Sequence, residues 1–252
     1  MLKTLMILIP SMLLRMLTNA FRRNVVHHLV TIKTPNNKKT KLKVFFISDI
    51  HRRKINRKLI GKIDRDIDLI IIGGDLAEKG VPLSRIASNI RSLSKLGQVY
   101  YVWGNNDREA GEQEIRNIMR RYRVIMLENN NIPIPGHESW GICGTDDPTS
   151  ENVDIEKTLR NINDYEHILL ICHQPRVLRE IENRIPSNIA TVMLAGHTHG
   201  GQIRIGKYGL LEKGSFQTNS KRTKLVSNGY GTTTVPMRLG APSECHVLTI
   251  IY

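Results

Sequence analysis

Five short apolar runs in this chain each lead into a side chain able to hold a metal ion, and that ordered pattern constrains the fold more than any other feature. The runs are 42–47, 69–72, 99–103, 167–172 and 190–194. They lead into Asp49-Ile50-His51, Gly74-Asp75, Gly104-Asn105-Asn106-Asp107, His173 and Gly196-His197-Thr198-His199. Short runs rich in β-branched and aromatic residues, bounded by Gly, Asp, Asn or His, read as buried strands. Between the second and third, residues 82–96 set Leu83, Ile86, Ala87, Ile90, Leu93 and Leu96 on one helical face, with Pro82 suited to the first turn. A second helix is expected over 175–185, with Val177, Leu178 and Ile181 on its apolar side. This βαβ rhythm predicts an α/β fold, in which ligands gather beyond the carboxyl ends of the strands. Residues 200–252 read instead as short strands and turns, punctuated by Gly209, Gly214, Gly229, Gly231 and Gly240.

Taken singly, most of these strand ends have ordinary explanations. An Asp after a strand commonly caps a helix, Gly-Asp and Gly-Asn-Asn-Asp commonly make turns, and a lone His before a Pro is commonly a satisfied half-buried ring. His197-Thr198-His199 is harder to explain by packing, and five such ends in one chain are specific. Together they supply two carboxylates, an amide oxygen and four imidazoles from Asp49, Asp75, Asn105, His51, His173, His197 and His199. That mixed O/N set suits manganese, iron, zinc, nickel or a similar first-row ion better than calcium or magnesium. Seven donors exceed what one ion accepts. A pair of cations is the economical reading, and paired ions about 3.5–4 Å apart serve phosphoryl transfer by stabilising both attacking and leaving oxygens.

The order of these motifs resembles the calcineurin-like metallophosphoesterases over about residues 42–252. The string Gly196-His197-Thr198-His199-Gly200-Gly201-Gln202 is similar to a bacterial branch of small, often membrane- or wall-associated members. The resemblance implies an αββα sandwich, two mixed sheets flanked by helices. It also implies one metal on Asp49, His51, Asp75 and His199, and a second on Asn105, His173 and His197 with Asp75 shared as the bridge. A hydroxide between the metals would be the nucleophile, without a covalent intermediate, and Asp75, Asn105 and Asn106 would be the catalytic residues. Manganese is the first expectation for the metals. The family usually carries His where this chain has Asn106, and an amide cannot supply the titratable proton that assists a leaving oxygen, an effect of roughly 10²–10⁴-fold. A phosphodiesterase or pyrophosphohydrolase therefore fits better than a strong phosphomonoesterase. A metal-binding interaction scaffold on the same fold is the alternative.

Charge adds a second theme. Residues 1–60 hold 14 of the 37 Lys/Arg and a single acid, Asp49, so nearly all of the +14 net charge is N-terminal. Residues 5–14 are apolar apart from Ser11, too short for a bilayer span of about 20 residues. Arg15 inside the apolar pattern argues against a signal peptide. An interfacial helix followed by Arg22, Arg23, Lys33, Lys38, Lys39, Lys41 and Lys43 is the expectation, with residues 1–43 on an anionic membrane, the cytoplasmic side favoured over an exported form. On this reading 1–40 is a basic segment, a candidate membrane anchor, and 41–252 is the phosphoesterase domain. The substrate would be a small-molecule or lipid phosphoester. A nucleic-acid binding module is disfavoured, because 61–252 is near neutral yet carries four of the five motifs. Arg52 and Arg53 could reach a phosphate or form a solvated basic loop, which weigh equally. Cys143, Cys172 and Cys245 show no CxxC spacing, and Cys172 reads as a buried strand residue. Trp103 reads as core, while His137 and His246 receive no role.

Overall fold

The computed structural model describes residues 2–32, 40–64 and 66–252, with side chains from residue 9 onward; Lys33, Lys38 and Lys39 of the basic cluster, and the side chains of residues 5–8, lie outside the described residues. The first sheet comprises β1 (Asn24–Thr31), β2 (Lys41–Ile47), β3 (Leu69–Gly73), β4 (Gln98–Val102), β5 (Ile125–Met126) and the C-terminal β14 (Glu244–Ile251), in the order β1-β14-β2-β3-β4-β5. The second comprises β6 (Asn130–Ile134), β7 (His137–Gly144), β8 (His167–Ile171), β9 (Ala190–Ala195), β12 (Ser215–Thr218) and β13 (Arg222–Val226), in the order β12-β13-β9-β8-β7-β6. Both are mixed: β2, β3 and β4 run parallel beside the antiparallel β14, and β7, β8, β9 and β13 run parallel between antiparallel edges. A small hairpin, β10 (Arg204–Ile205) and β11 (Tyr208–Gly209), stands apart.

Strand alternation builds the layers. In β3, Leu69 and Ile71 face the second sheet while Ile70 and Ile72 face helices; in β8, Leu169 and Ile171 face the first sheet while Ile168 and Leu170 face helices. The middle layer adds Phe46, Trp140, Val192 and Leu248. Outside the first sheet lie α2 (Arg57–Ile60), burying Leu59, α3 (Leu83–Leu93), burying Ile86, Ile90 and Leu93, and α4 (Glu112–Arg121), burying Ile115 and Met119. Outside the second lie α5 (Ile155–Thr158) and α6 (Pro175–Glu182), the latter burying Val177, Leu178 and Ile181 as its periodicity predicts. This is the expected αββα sandwich.

Local details differ from the sequence reading. Pro82 is the N-cap of α3 rather than part of its first turn, because the helix runs Leu83–Leu93 and not over 82–96, and Leu83 at its start is exposed. Residues 24–31, grouped above with the basic N-terminal segment, form an edge strand: β1 pairs in parallel with β14 from Asn24 opposite Glu244 to Thr31 opposite Ile251. Before it, α1 (Leu2–Ala20) buries Met16 and Ala20 and leaves Leu13, Leu14 and Leu17 exposed. None of the described helices is long and apolar enough to cross a membrane. Trp103 is fully buried in the core, and the three cysteines are free and buried; burial pushes the Cys172 thiol up to about 12.

The middle layer carries the stability argument, since deleting buried methylenes costs both transfer free energy and a cavity. Ile71→Ala should lower unfolding free energy by about 2–5 kcal/mol. Leu29→Ala, at a side chain 66% exposed on β1, should change it by about 0.5 kcal/mol or less. Equal shifts in a urea titration would contradict this assignment of layers.

Candidate metal centre

All seven predicted donors converge where the carboxyl ends of the two sheets meet. The first sheet delivers Asp49 and His51 after β2, Asp75 after β3 and Asn105 after β4; the second delivers His173 after β8 and His197 and His199 after β9. The loops are zipped by backbone hydrogen bonds: Asp49 N–H donates to the Gly74 carbonyl (3.0 Å), Ile50 N–H to Asp75 (2.7 Å) and Gly196 N–H to His173 (3.0 Å). Bonds also cross the seam between sheets, among them His197 N–H to Asp49 Oδ1 (2.9 Å). Asp49, His51, Asp75, His197 and His199 all sit at φ between 48° and 71°, a left-handed region that residues with a Cβ rarely occupy. They make up five of the eleven such non-glycine residues among those described, and strain of this kind persists only where surrounding structure holds it. Two glycines make the approach possible. A Cβ at Gly104 would collide with the Asp75 backbone and carboxylate, and one at Gly74 with the His173 ring.

The donors form two overlapping groups. Asp49, His51 and His199 bring ligand atoms within 4.8 Å of one another, as do Asp49, Asp75 and His173. Asp75 Oδ2 lies 3.6 Å from His51 Nε2 and 3.4 Å from His173 Nε2, so this carboxylate stands between the groups. Asn105 Oδ1 lies 3.1 Å from His173 Nε2 and 2.9 Å from His197 Nδ1, which gathers the remaining donors around the second group. His173 Nδ1–H donates to the Gly73 carbonyl (2.8 Å), which aims the Nε2 lone pair of the neutral ring at two oxygens. Lone pairs converging in a buried space require either a proton or a cation between them. This donor chemistry fits two divalent cations.

The electrostatics agree. Burial works against a charged His173, but the nearby Asp75 carboxylate outweighs it and pushes the ring up to about 10. Burial likewise disfavours an ionised Asp75, yet His173 and then His51 hold its carboxyl well below the usual range. Burial brings His199 down to about 4, with Asp49 opposing that and His51 and Arg238 reinforcing it. His197 is lowered by burial and by His173.

Asn106 is turned onto Asp75: its Nδ2 donates to Oδ2 (2.8 Å) and its backbone N–H to Oδ1 (2.9 Å). Asp107 braces the same loops, accepting from Ala77 N–H (2.9 Å) and Gly104 N–H (2.8 Å), and burial followed by Asp75 raises it to about 7. Of the two arginines after His51, Arg52 is exposed, as the solvated-loop reading expects, and Arg53 departs from both expectations. Arg53 spends its guanidinium on the carbonyls of Phe21 (2.7 Å), Arg22 (2.5 Å) and Tyr230, where it braces the end of α1. Arg52 pairs with Glu78 and donates to the Lys79 carbonyl (3.1 Å). Two contributors escape sequence reasoning. Glu78 Oε2 lies 3.0 Å from His51 Nδ1. Arg238, fully buried, places Nη2 3.1 Å from His199 Nδ1 and donates to the carbonyls of His199, Ala241 and Gly231. No spacing marks Arg238, 39 residues from the ring it supports. His137 contacts the Tyr252 hydroxyl, and His246 lies between His28 and Ser227, both apart from the seven donors.

The profile of the calcineurin-like phosphoesterase superfamily domain matches residues 42–228. A Bacillus subtilis protein, "Uncharacterized protein YpbG", is 41% identical over 231 residues, covering 89% of this chain and 88% of that protein. An "Uncharacterized metallophosphoesterase" of Helicobacter pylori is 26% identical over 228 residues, covering 83% of this chain but 60% of the relative's own length. Among solved structures, the NAD nucleotidase NadN of Haemophilus influenzae aligns with a TM-score of 0.49 at 17% identity, covering 77% of this chain and 46% of that one.

The donor geometry sets a stoichiometry and a pH dependence. Reconstitution with Mn²⁺ should give two ions per chain by elemental analysis, and Asp75→Ala should leave one or none. In the metal-free protein His173 keeps its proton up to about 10, and that proton must leave before Nε2 can ligate. Metal affinity should therefore rise with pH through neutrality, with about one proton released from His173. His199, already neutral above about 4, should release none. Calorimetry in buffers of different ionisation enthalpy measures the release, and binding with no proton release at pH 7 would refute the assignment.

Proposed function

The chain belongs to the calcineurin-like phosphoesterase superfamily and is a metal-dependent phosphoester hydrolase, and from that premise we propose that it cleaves phosphodiesters or pyrophosphates. The observation that carries this reading is the pairing of seven convergent donors with an amide at position 106. Asp49, His51 and His199 would hold one cation, Asn105, His173 and His197 the other, with Asp75 between them. When bound, the cations would acidify the attacking water and take up charge on the phosphoryl oxygens. Manganese suits the mixed O/N set. Asn106 holds Asp75 with both of its donors, which makes it a positioning residue. No proton-donating imidazole occupies its place, so leaving oxygens that depart as stable anions are favoured.

Association with an anionic membrane, from the cytoplasmic side, is part of the same proposal. Leu13, Leu14, Leu17 and Phe21 are exposed on and just after α1, with Arg15 and Arg22 among them. Apolar insertion and basic attraction, the latter about 1 kcal/mol per residue near the surface, together make a two-signal attachment. The full chain should float with anionic vesicles and not with neutral ones, less so at high salt, and Leu13→Ser/Leu14→Ser should reduce flotation. Equal flotation of variant and parent would remove this part of the proposal.

The Mn²⁺-loaded enzyme should hydrolyse bis-aryl phosphodiesters in preference to alkyl monoesters, and Asp75→Ala should abolish turnover. Asn106→His should raise rates on alkyl leaving groups by about 10²-fold or more and on aryl ones by far less. Equal gains on both classes would count against the position's role in leaving-group departure. Bound metals with no turnover on any phosphoester would sink the proposed reaction.

A further inference from the structure

The exposed apolar side chains are not scattered. Of the fourteen large hydrophobic residues exposed among the described side chains, all but Leu29 and Leu83 lie either on α1 and its end or on two segments, 203–211 and 235. Those two segments rim the metal centre. A cavity of about 560 Å³ is lined both by His51, Asp75, Asn105 and His199 and by Ile203, Leu210, Leu211 and Val235. A neighbouring cavity of about 380 Å³ shares Thr234 and Val235 with it and reaches Ala20 and Phe21 at the end of α1. The two cavities therefore adjoin through Thr234 and Val235 between the metal-binding donors and the end of α1, with Arg52, Arg53 and Glu78 also on the wall of the second.

The β10–β11 hairpin is inside out. Its charged Arg204 is buried, donating to the carbonyls of Gly200 (3.1 Å), Leu211 (2.5 Å) and Lys207 (2.8 Å), while Ile205, Tyr208 and Leu210 are 75%, 72% and 95% exposed. The guanidinium ties the hairpin to the residue after His199, so the apolar rim is fixed relative to the donors. Water alone does not reward such an arrangement, since each exposed leucine forgoes the free energy of burial.

We propose that the substrate is an amphiphile whose phosphoester sits at the metal centre and whose hydrocarbon chain lies along Ile203, Leu210, Leu211 and Val235. This rests on the hydrolase reading for the headgroup. The occupant follows from continuity: Ile203, Leu210, Leu211 and Val235 line the same cavity as the donors, so a hydrocarbon chain carried by the phosphoester finds apolar surface within the same site.

Calorimetry of the Mn²⁺-loaded full chain with ethyl phosphate and octyl phosphate, both below aggregation, tests the chain site apart from catalysis. Each methylene removed from water contributes roughly fourfold in affinity, so burial of half the added chain should make octyl phosphate bind about 60-fold more tightly. Leu210→Ser/Leu211→Ser, at exposed side chains that the fold does not need, should shrink that ratio by about tenfold. Turnover of ethyl and octyl aryl phosphodiesters is measured in parallel. A large octyl preference that the double variant lowers, without turnover of either ester, upholds the chain site and overturns the hydrolase reading. Turnover with equal affinity for the two chain lengths overturns the chain site alone. Sedimentation showing a dimer that the double variant dissociates, with no chain preference, gives the rim to self-association and likewise overturns it.

Discussion

Two carboxylates, Asp49 and Asp75, are buried where the ends of two sheets meet, and most of what surrounds them answers the cost of putting them there. An isolated buried carboxylate is expensive enough that it must be paired, hydrogen-bonded or placed on a metal. Ser48 Oγ–H (2.5 Å) and His197 N–H donate to Asp49, both donors of Asn106 go to Asp75, and imidazoles from both sheets face the pair. Remove the charge and the left-handed turns that deliver these residues lose their reason to persist.

The sandwich exists to hold that seam. Parallel strands β2, β3 and β4 bring three loops to one end of the first sheet, and β8 and β9 bring two to the same end of the second. Two sheets packed through Phe46, Ile71, Trp140 and Leu169 cannot slide independently, so the donors of one sheet are fixed against those of the other. Metal pairing depends on distances of a few ångströms, and a close-packed interior supplies that precision better than a loop would.

The N-terminal region is more integral than its composition suggests. Asn24–Thr31 completes an edge of the first sheet, Arg53 holds the end of α1 two residues after His51, and Arg238 both receives the Asn19 side chain and supports His199. The amphipathic helix is thereby tied by two arginines to the loops of the metal centre. Phe21, just past the end of that helix, lines the same cavity as Val235 of the rim.

Strand exits and helix faces are local properties, and these were legible in the chain. Continuous apolar runs placed β2, β3, β4, β8 and β9 within a residue or so, because strands covered on both faces are apolar throughout, and periodic apolar residues placed the buried face of α6. The seven donors were legible for the same reason: each follows its own strand. Partnership between distant segments was not. Nothing local in residues 244–251 shows that they lie between β1 and β2, that Arg53 turns away from the cavity toward Phe21 and Arg22, or that Arg238 reaches His199. The sequence by itself determined what chemistry each strand end carries; the tertiary structure decided which ends meet, which cations are already spent and where the apolar rim stands, because those depend on packing between residues far apart in the chain.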